Sequence, residues 1–292
     1  MNKSIHPPFY DLQTSTFPVP PEDMQFLKAN SDAYERVLRD LPTKLSSSDP
    51  ERVLRCVQNA ARSATRFHAG RFADGTIENV VLQIGSQLAS REQDSGTGGR
   101  RSGPAKRRVL HVVSTAISIG GLSRMIWHWV SKDSSSIHSI VLLDQREIPI
   151  PSWLSVSVAV SGGAITTFPS AMSLTDKARQ LRRLSRAEAD LVVLHHGGWD
   201  VLPTLAFASE IGPPVAVLNH ADHEFWLGSS IADLVINLRT VAAVHTRERR
   251  FIERNVVLPI PLDNPTAQLS KEEAKRRLGI SPDETVLVSI AR

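Results

Sequence analysis

Apolar positions fall into two regimes along this chain. In the first they recur at helical spacing: Tyr34, Val37, Leu38 and Leu41; then Val53, Val57, Ala60, Ala64 and Phe67; then Ile77, Val80, Val81, Ile84 and Leu88. Each set lines one face of a helix. The second set follows Asp49-Pro50, an N-cap residue and a proline suited to the first helical turn. From Ala89 the periodicity stops, and residues 89–105 read ASREQDSGTGGRRSGPA, the composition of a flexible connector. A helical region over 1–88 and a basic linker over 89–107 are expected. So short a helical region has a thin core and calls for a partner surface, on another protein or on a second copy.

Beyond the linker, short apolar runs at 109–113, 139–143, 164–168, 191–194, 215–218, 234–236 and 256–258 alternate with longer segments at 122–132, 173–189, 199–211 and 240–253. Several runs are continuously apolar, as in strands buried on both faces of a parallel sheet. The repeated βα order predicts an α/β domain over 108–262, a Rossmann-like doubly wound parallel sheet that binds ligands at the C-terminal ends of its strands. A last segment, 263–292, opens with Ser270 and Glu273 at capping-box spacing and runs as a helix to Gly279. Its apolar stretch at 285–290 reads as a buried strand.

Length and composition narrow the classes. The 292 residues suffice for about two domains, and 41% apolar with 22% charged residues is ordinary globular usage. There is no apolar run of membrane-spanning length and no signal-peptide pattern at the N-terminus, so a cytoplasmic protein without a transmembrane segment is expected. The single cysteine, Cys56, excludes an internal disulfide framework and reads as a structural thiol in a helical stripe. The net charge of +4 resides in the linker, where Arg91, Arg100, Arg101, Lys106, Arg107 and Arg108 face only Glu92 and Asp94. A nucleic-acid binder spreads its bases over a folded face among aromatics. No nucleic-acid partner is expected. Arg179, Arg182, Arg183 and Arg186 read as a solvated helix face.

Candidate chemistry gathers where strands should end. Gly120-Gly121 opens a helix after the first strand, so its free N–H groups and helix dipole suit a phosphate; a tight turn needing glycine is the alternative. The three-glycine spacing of a dinucleotide fingerprint is missing, and Asp144 is the one acidic residue at the second strand's end. His220-Ala221-Asp222-His223-Glu224 is the densest polar cluster. His220 suits a sugar hydroxyl or a developing charge, with Asp222 or Glu224 orienting acceptor hydroxyls; metal binding and plain loop polarity are the rivals. Phe225-Trp226 offers a stacking face or core. At His195-His196-Gly197-Gly198-Trp199-Asp200, one imidazole faces the cleft, the other packs, and Asp200 is a helix cap or a ligand.

The order of these landmarks resembles the two-domain GT-B glycosyltransferases, in particular the retaining family 4 type. The resemblance rests on the strand 109–113 and Gly120-Gly121-Leu122-Ser123-Arg124, on DLVVLHH at 190–196 and VAVLNH at 215–220, and on ADLVI at 232–236. VLPIPL at 257–262 is similar to the family's interdomain crossing, and RRLGI at 276–280 with VLVSIAR at 286–292 to the opening of its donor-binding domain. It implies transfer of a sugar from a nucleotide diphosphate sugar to an acceptor hydroxyl on a glycan, lipid-linked or protein acceptor, with retention and with neither metal nor cofactor. On that reading Gly120, Gly121 and Arg292 meet the donor phosphates, His220 is the catalytic residue beside the transferred sugar, and His196, Asp222 and Glu224 contact sugar or acceptor. The family's later donor-site residues lie beyond Arg292. An inactive remnant, or a binding module whose helical region docks a partner, is therefore the alternative, and an unrelated nucleotide-binding α/β protein a third.

Overall fold

The computed structural model describes residues 20–45, 49–91, 106–209, 211–260 and 269–287, with side chains for all of these but 40–45. Three helices come first: α1 (Pro21–Leu45), α2 (Pro50–Arg66) and α3 (Gly75–Arg91). Asp49 caps α2 as its sequence predicts, accepting the Glu51 and Arg52 N–H groups. An alternating series follows: β1 (Arg107–Val113), α4 (Gly121–Lys132), β2 (Ser136–Leu142), α5 (Ser152–Ser161), β3 (Ile165–Thr167), α6 (Leu174–Glu188), β4 (Leu191–His195), α7 (Leu202–Ala206), β5 (Val215–Asn219), β6 (Leu234–Asn237), α8 (Thr240–Arg250) and β7 (Asn255–Val257).

The seven strands form one sheet in the order β3-β2-β1-β4-β5-β6-β7, with every pairing parallel. The protein has a Rossmann-like α/β fold preceded by a helical region. Strand order reverses between β1 and β4, which are neighbours in space but far apart in sequence. Connections leave this point on opposite faces and open a crevice at the C-terminal edge.

One face of the sheet, with Leu110, Val112, Val192, Leu194 and Val217, packs into a single cluster with α6, α7 and the N-terminal helices. Val53, Leu54, Val57, Ile77 and Val81 belong to that same cluster. The thin core of the helical region is thus completed by its own chain. The approach is close: a Cβ on Gly85 of α3 would stand 2.5 Å from Leu205 O and 2.6 Å from Ala208 Cβ. Cys56 is half-buried against this cluster. The other face carries α4 and α5 over Val113, Ile140, Leu142, Val193 and Leu218.

Some elements depart from the pattern. Residues 152–161, SWLSVSVAVS, alternate like a strand yet form α5. Leu154 and Val158 lie four apart on one buried face, and Gly162, at φ 92°, ends the helix in the left-handed region. Among the described residues of 199–211 the helix found is the short α7. Arg182 corrects the solvated-face reading: it is 2% exposed and donates from Nε to Ala206 O at 3.0 Å, satisfying a carbonyl at the end of α7.

Residues 260–292 form a second unit. Its helix α9 (Lys271–Arg277) is capped by Ser270, which accepts the Glu273 N–H at 3.1 Å. The expected strand at 285–290 is not found over 285–287, where Leu287 is fully exposed. A strand is stable only when paired, and none of the described strands pairs with it. Residues 288–290 and Arg292 lie outside the described residues, as does most of the 89–107 linker. No described helix is long and apolar enough to cross a membrane.

Candidate functional site

The crevice is built from loops that continue β1, β4 and β5. After β1, the chain from Ser114 to Gly120 is held by side chains. Gln145 clamps Ala116 from both sides, its Oε1 accepting the Ala116 N–H and its Nε2 donating to Ala116 O, each at 2.9 Å. Thr115 Oγ1 donates to Asp144 O at 3.0 Å, and Ser123 Oγ reaches back to accept the Ile117 N–H at 3.0 Å. Ser114 ties this loop to the next: its Oγ accepts the Gly197 N–H at 2.9 Å and donates to Asp200 at 3.1 Å.

Gly120 and Gly121 open α4 without a side-chain cap. Neither has a left-handed backbone; Gly120, at φ −173°, is extended. No positive φ therefore calls for glycine at either position, though at Gly120 a Cβ would stand 2.8 Å from Ile117 Cγ1. A Cβ at Gly121 would meet nothing within 4 Å, and no side chain caps the N–H groups of the first turn of α4.

After β4 the structure resolves the histidine pair. His195 is wholly buried in the sheet. His196 is 5% exposed, and its Nε2 lies 2.8 Å from Leu227 O. Burial pushes the His196 imidazole down to about 4, so it is neutral at pH 7 and donates from Nε2. Gly198 is required by close approach: a Cβ there would stand 2.5 Å from Phe225 O. Asp200 accepts the Leu202 N–H at 3.0 Å at the start of α7, and burial raises its carboxyl pKa despite that bond.

After β5, His220 stands exposed at the rim with Nδ1 3.3 Å from Leu218 O, and loss of solvation lowers its pKa. His196, Gly198, Asn219, His220 and Trp226 line a small, shallow, open hollow. The structure brings His196 and His220 together at its wall. Asp222 is elsewhere occupied: Arg239 grips both its oxygens, at 2.6 and 2.7 Å, and this ion pair holds the Asp222 carboxyl below its usual range. Glu224 is half-exposed near His223, and its carbonyl accepts from Arg250 at 2.6 Å. Phe225 is core, wholly buried, and Trp226 is 5% exposed.

Two sets of residues carry no local sequence signal. Glu78 of α3 is 2% exposed and accepts the N–H groups of Gly228, Ser229 and Ser230, fixing the loop that receives the His196 bond. Glu51 of α2 likewise accepts the Leu174 and Thr175 N–H groups at the start of α6. His111, inside the run 109–113, and His138, just before the run 139–143, lie with His195 in the sheet interior. Only pairing across three strands reveals them as a set.

No protein-family model matches the chain, and no curated protein matches its sequence. Among solved structures it is similar to a mutant O-GlcNAc transferase of Thermobaculum terrenum at 12% identity and a TM-score of 0.40, covering 82% of this chain and 44% of that one. The chain spans less than half of that transferase. It is also similar to eIF2B beta of Chaetomium thermophilum, at 12% identity and TM-score 0.26, covering 70% and 76% of the two chains. A translation initiation factor eIF-2B of Pyrococcus horikoshii OT3 follows at 11% and 0.23, covering 68% and 78%. Likenesses this shallow assign no activity.

Proposed function

We propose that this chain is the acceptor-side part of a GT-B glycosyltransferase of the retaining type and takes a nucleotide diphosphate sugar in its switch-point crevice. The observation that carries the reading is the uncapped, open N-terminus of α4 at the end of β1, on the same sheet edge as the hollow walled by His196 and His220. N–H groups and the helix dipole favour a diphosphate there. On this reading the Gly120 and Gly121 N–H groups meet the phosphates, and His220 hydrogen-bonds the sugar. Asp222 holds Arg239 and contributes no acceptor contact.

Calorimetry of the full chain with UDP, GDP and UDP-glucose tests it. Binding with Kd below about 1 mM, unaffected by EDTA, is expected. Absence of heat with every nucleotide diphosphate, the protein remaining folded, removes the reading.

A further inference from the structure

Residues 148–175 hold no Asp, Glu, Lys, Arg or His, the longest such stretch in a chain with 22% charged residues. The stretch folds into α5 and β3 and so builds one edge of the sheet. β3 runs parallel to β2, with Ile165 beside Ile140 and Thr167 beside Leu142. Ala164 O accepts the Ile140 N–H at 2.9 Å, and the Phe168 N–H donates to Leu142 O at 3.0 Å. In a parallel ladder, successive residues of one strand alternate between bonding the neighbour and pointing away from it. Thr166 therefore turns its N–H and C=O to β2. Ile165 and Thr167 turn theirs outward, where no described strand pairs with them.

α5 covers this edge on one face of the sheet. Trp153 and Ser157 face α4: Trp153 meets Trp127 edge-on, and Ser157 Oγ lies 3.2 Å from Ser131 Oγ. Leu154 and Val158 enter the core below. At 3.6 residues per turn, the side of α5 turned away from α4 carries Ser152, Ser155 and Ala159, all small, with Ser152 and Ala159 exposed. Val156 and Val160, 61% and 83% exposed, continue the uncharged surface over the outside of the helix. Apart from its short length, β3 lacks the features that keep an edge strand from pairing: it holds no charge, no proline and no bulge. The opposite edge differs, because β7 is flanked by Glu253, Arg254 and Pro259.

We propose that the β3 edge is the surface through which two copies of this chain pair about a two-fold axis, β3 running antiparallel to β3 of the second copy. With the axis beside Thr166, the Ile165 N–H donates to Thr167 O of the second copy and the Thr167 N–H to Ile165 O of the second copy. Symmetry repeats both bonds. The two sheets join into one, and the two α5 helices approach through Ser152, Ser155 and Ala159. Charge selects a second copy as the occupant. A two-fold contact sets residues near its axis against their own copies, so a charged side chain there meets its like. The one long uncharged segment of the chain is the surface that faces itself without repulsion, whereas a different partner would be matched by opposite charges. β2 lies between this edge and β1, so the pairing holds whatever the crevice binds.

Sedimentation equilibrium of the full chain provides the test. At about 100 µM the parent should sediment as a dimer of twice 32.1 kDa; a monomer at that concentration overturns the proposal. With no charge in the contact, the dimer Kd should stay within about twofold from low to high NaCl, and a dimer that salt dissociates is a different one. Ala159→Lys sets like charges across the axis from an exposed helix position. Thr167→Pro deletes an outward N–H on which β2 does not depend. Each should raise Kd at least about tenfold at the parent's melting temperature, and Val257→Lys on β7 should not. Ala159→Lys decides where Thr167→Pro fails to fold. A Kd that Ala159→Lys leaves unchanged, or that Val257→Lys alone raises, overturns the assignment to this edge. Amide exchange at Ile165 and Thr167 should slow as the dimer forms, while that of Thr166, already bonded to β2, stays constant.

Discussion

Glu78 Oε2 accepts the Ser230 N–H at 2.7 Å across 152 residues of sequence. Through this bond, and those to Gly228 and Ser229, a helix of the N-terminal region shapes the loop that binds His196. Glu78→Ala should leave three N–H donors without their acceptor, that of Gly228 buried, and cost about 2 kcal/mol, with Glu78→Gln between it and the parent. Urea denaturation measures the loss, and amide exchange at 228–230 should accelerate. Equal stability of Glu78→Ala and the parent would show that the helical region only covers the sheet.

Acid should destabilise the protein well above the usual carboxylate range. His111 and His196 are held at about 3 and about 4, below the ordinary value near 6.5. Between those limits the unfolded chain binds more protons, so stability present above pH 6.5 is lost as pH falls. These two rings should remove roughly 3 kcal/mol between pH 6.5 and 5. Glu78, raised mainly by burial, works in the opposite direction, since its raised pKa adds stability as it is protonated, but only near the carboxylate range. A urea midpoint constant from pH 7 to 5 contradicts this account.

Two glycines of the crevice should respond in opposite ways. Gly121→Ala adds a methyl to open space and should change stability by no more than about 0.5 kcal/mol. It should weaken nucleotide diphosphate binding about tenfold by crowding the α4 N–H groups. Gly198→Ala drives a Cβ against Phe225 O and Trp226 and should cost about 1–3 kcal/mol. Thermal melts and calorimetry on both variants separate the two effects.

His220→Ala removes a ring at the rim of the hollow that contacts Leu218 O. Stability should stay within about 0.5 kcal/mol of the parent. Affinity for UDP-glucose, but not for UDP, should fall about tenfold if the ring meets the sugar. Equal losses for both ligands would move His220 to the nucleotide.

Much of the architecture was legible along the chain, because it depends on local spacing. Continuous apolar runs separated by amphipathic segments specify buried parallel strands joined by helices, and Asp49 and Ser270 mark their helices through bonds to N–H groups two or three residues away. The strand ends, and with them Gly120, His196 and His220, follow from the same periodicity. The helix at 152–161 lies outside the segments that the pattern marks, its burial at i and i+4 outweighing β-branched propensity. The apolar stretch at 285–290 promises a buried strand that has no described partner at 285–287.

Tertiary structure alone decided which polar residues act together. Sheet order, with β1 beside β4, depends on packing summed over both faces and placed Ser114 against Gly197 and Asp200. The same order aligned His111, His138 and His195, which in sequence are single polar residues within apolar strands. Asp222 looked free for a ligand until Arg239, 17 residues away, occupied both its oxygens. A side chain's hydrogen-bond partners are set by proximity in space, and a one-dimensional pattern records only the partners within a few residues.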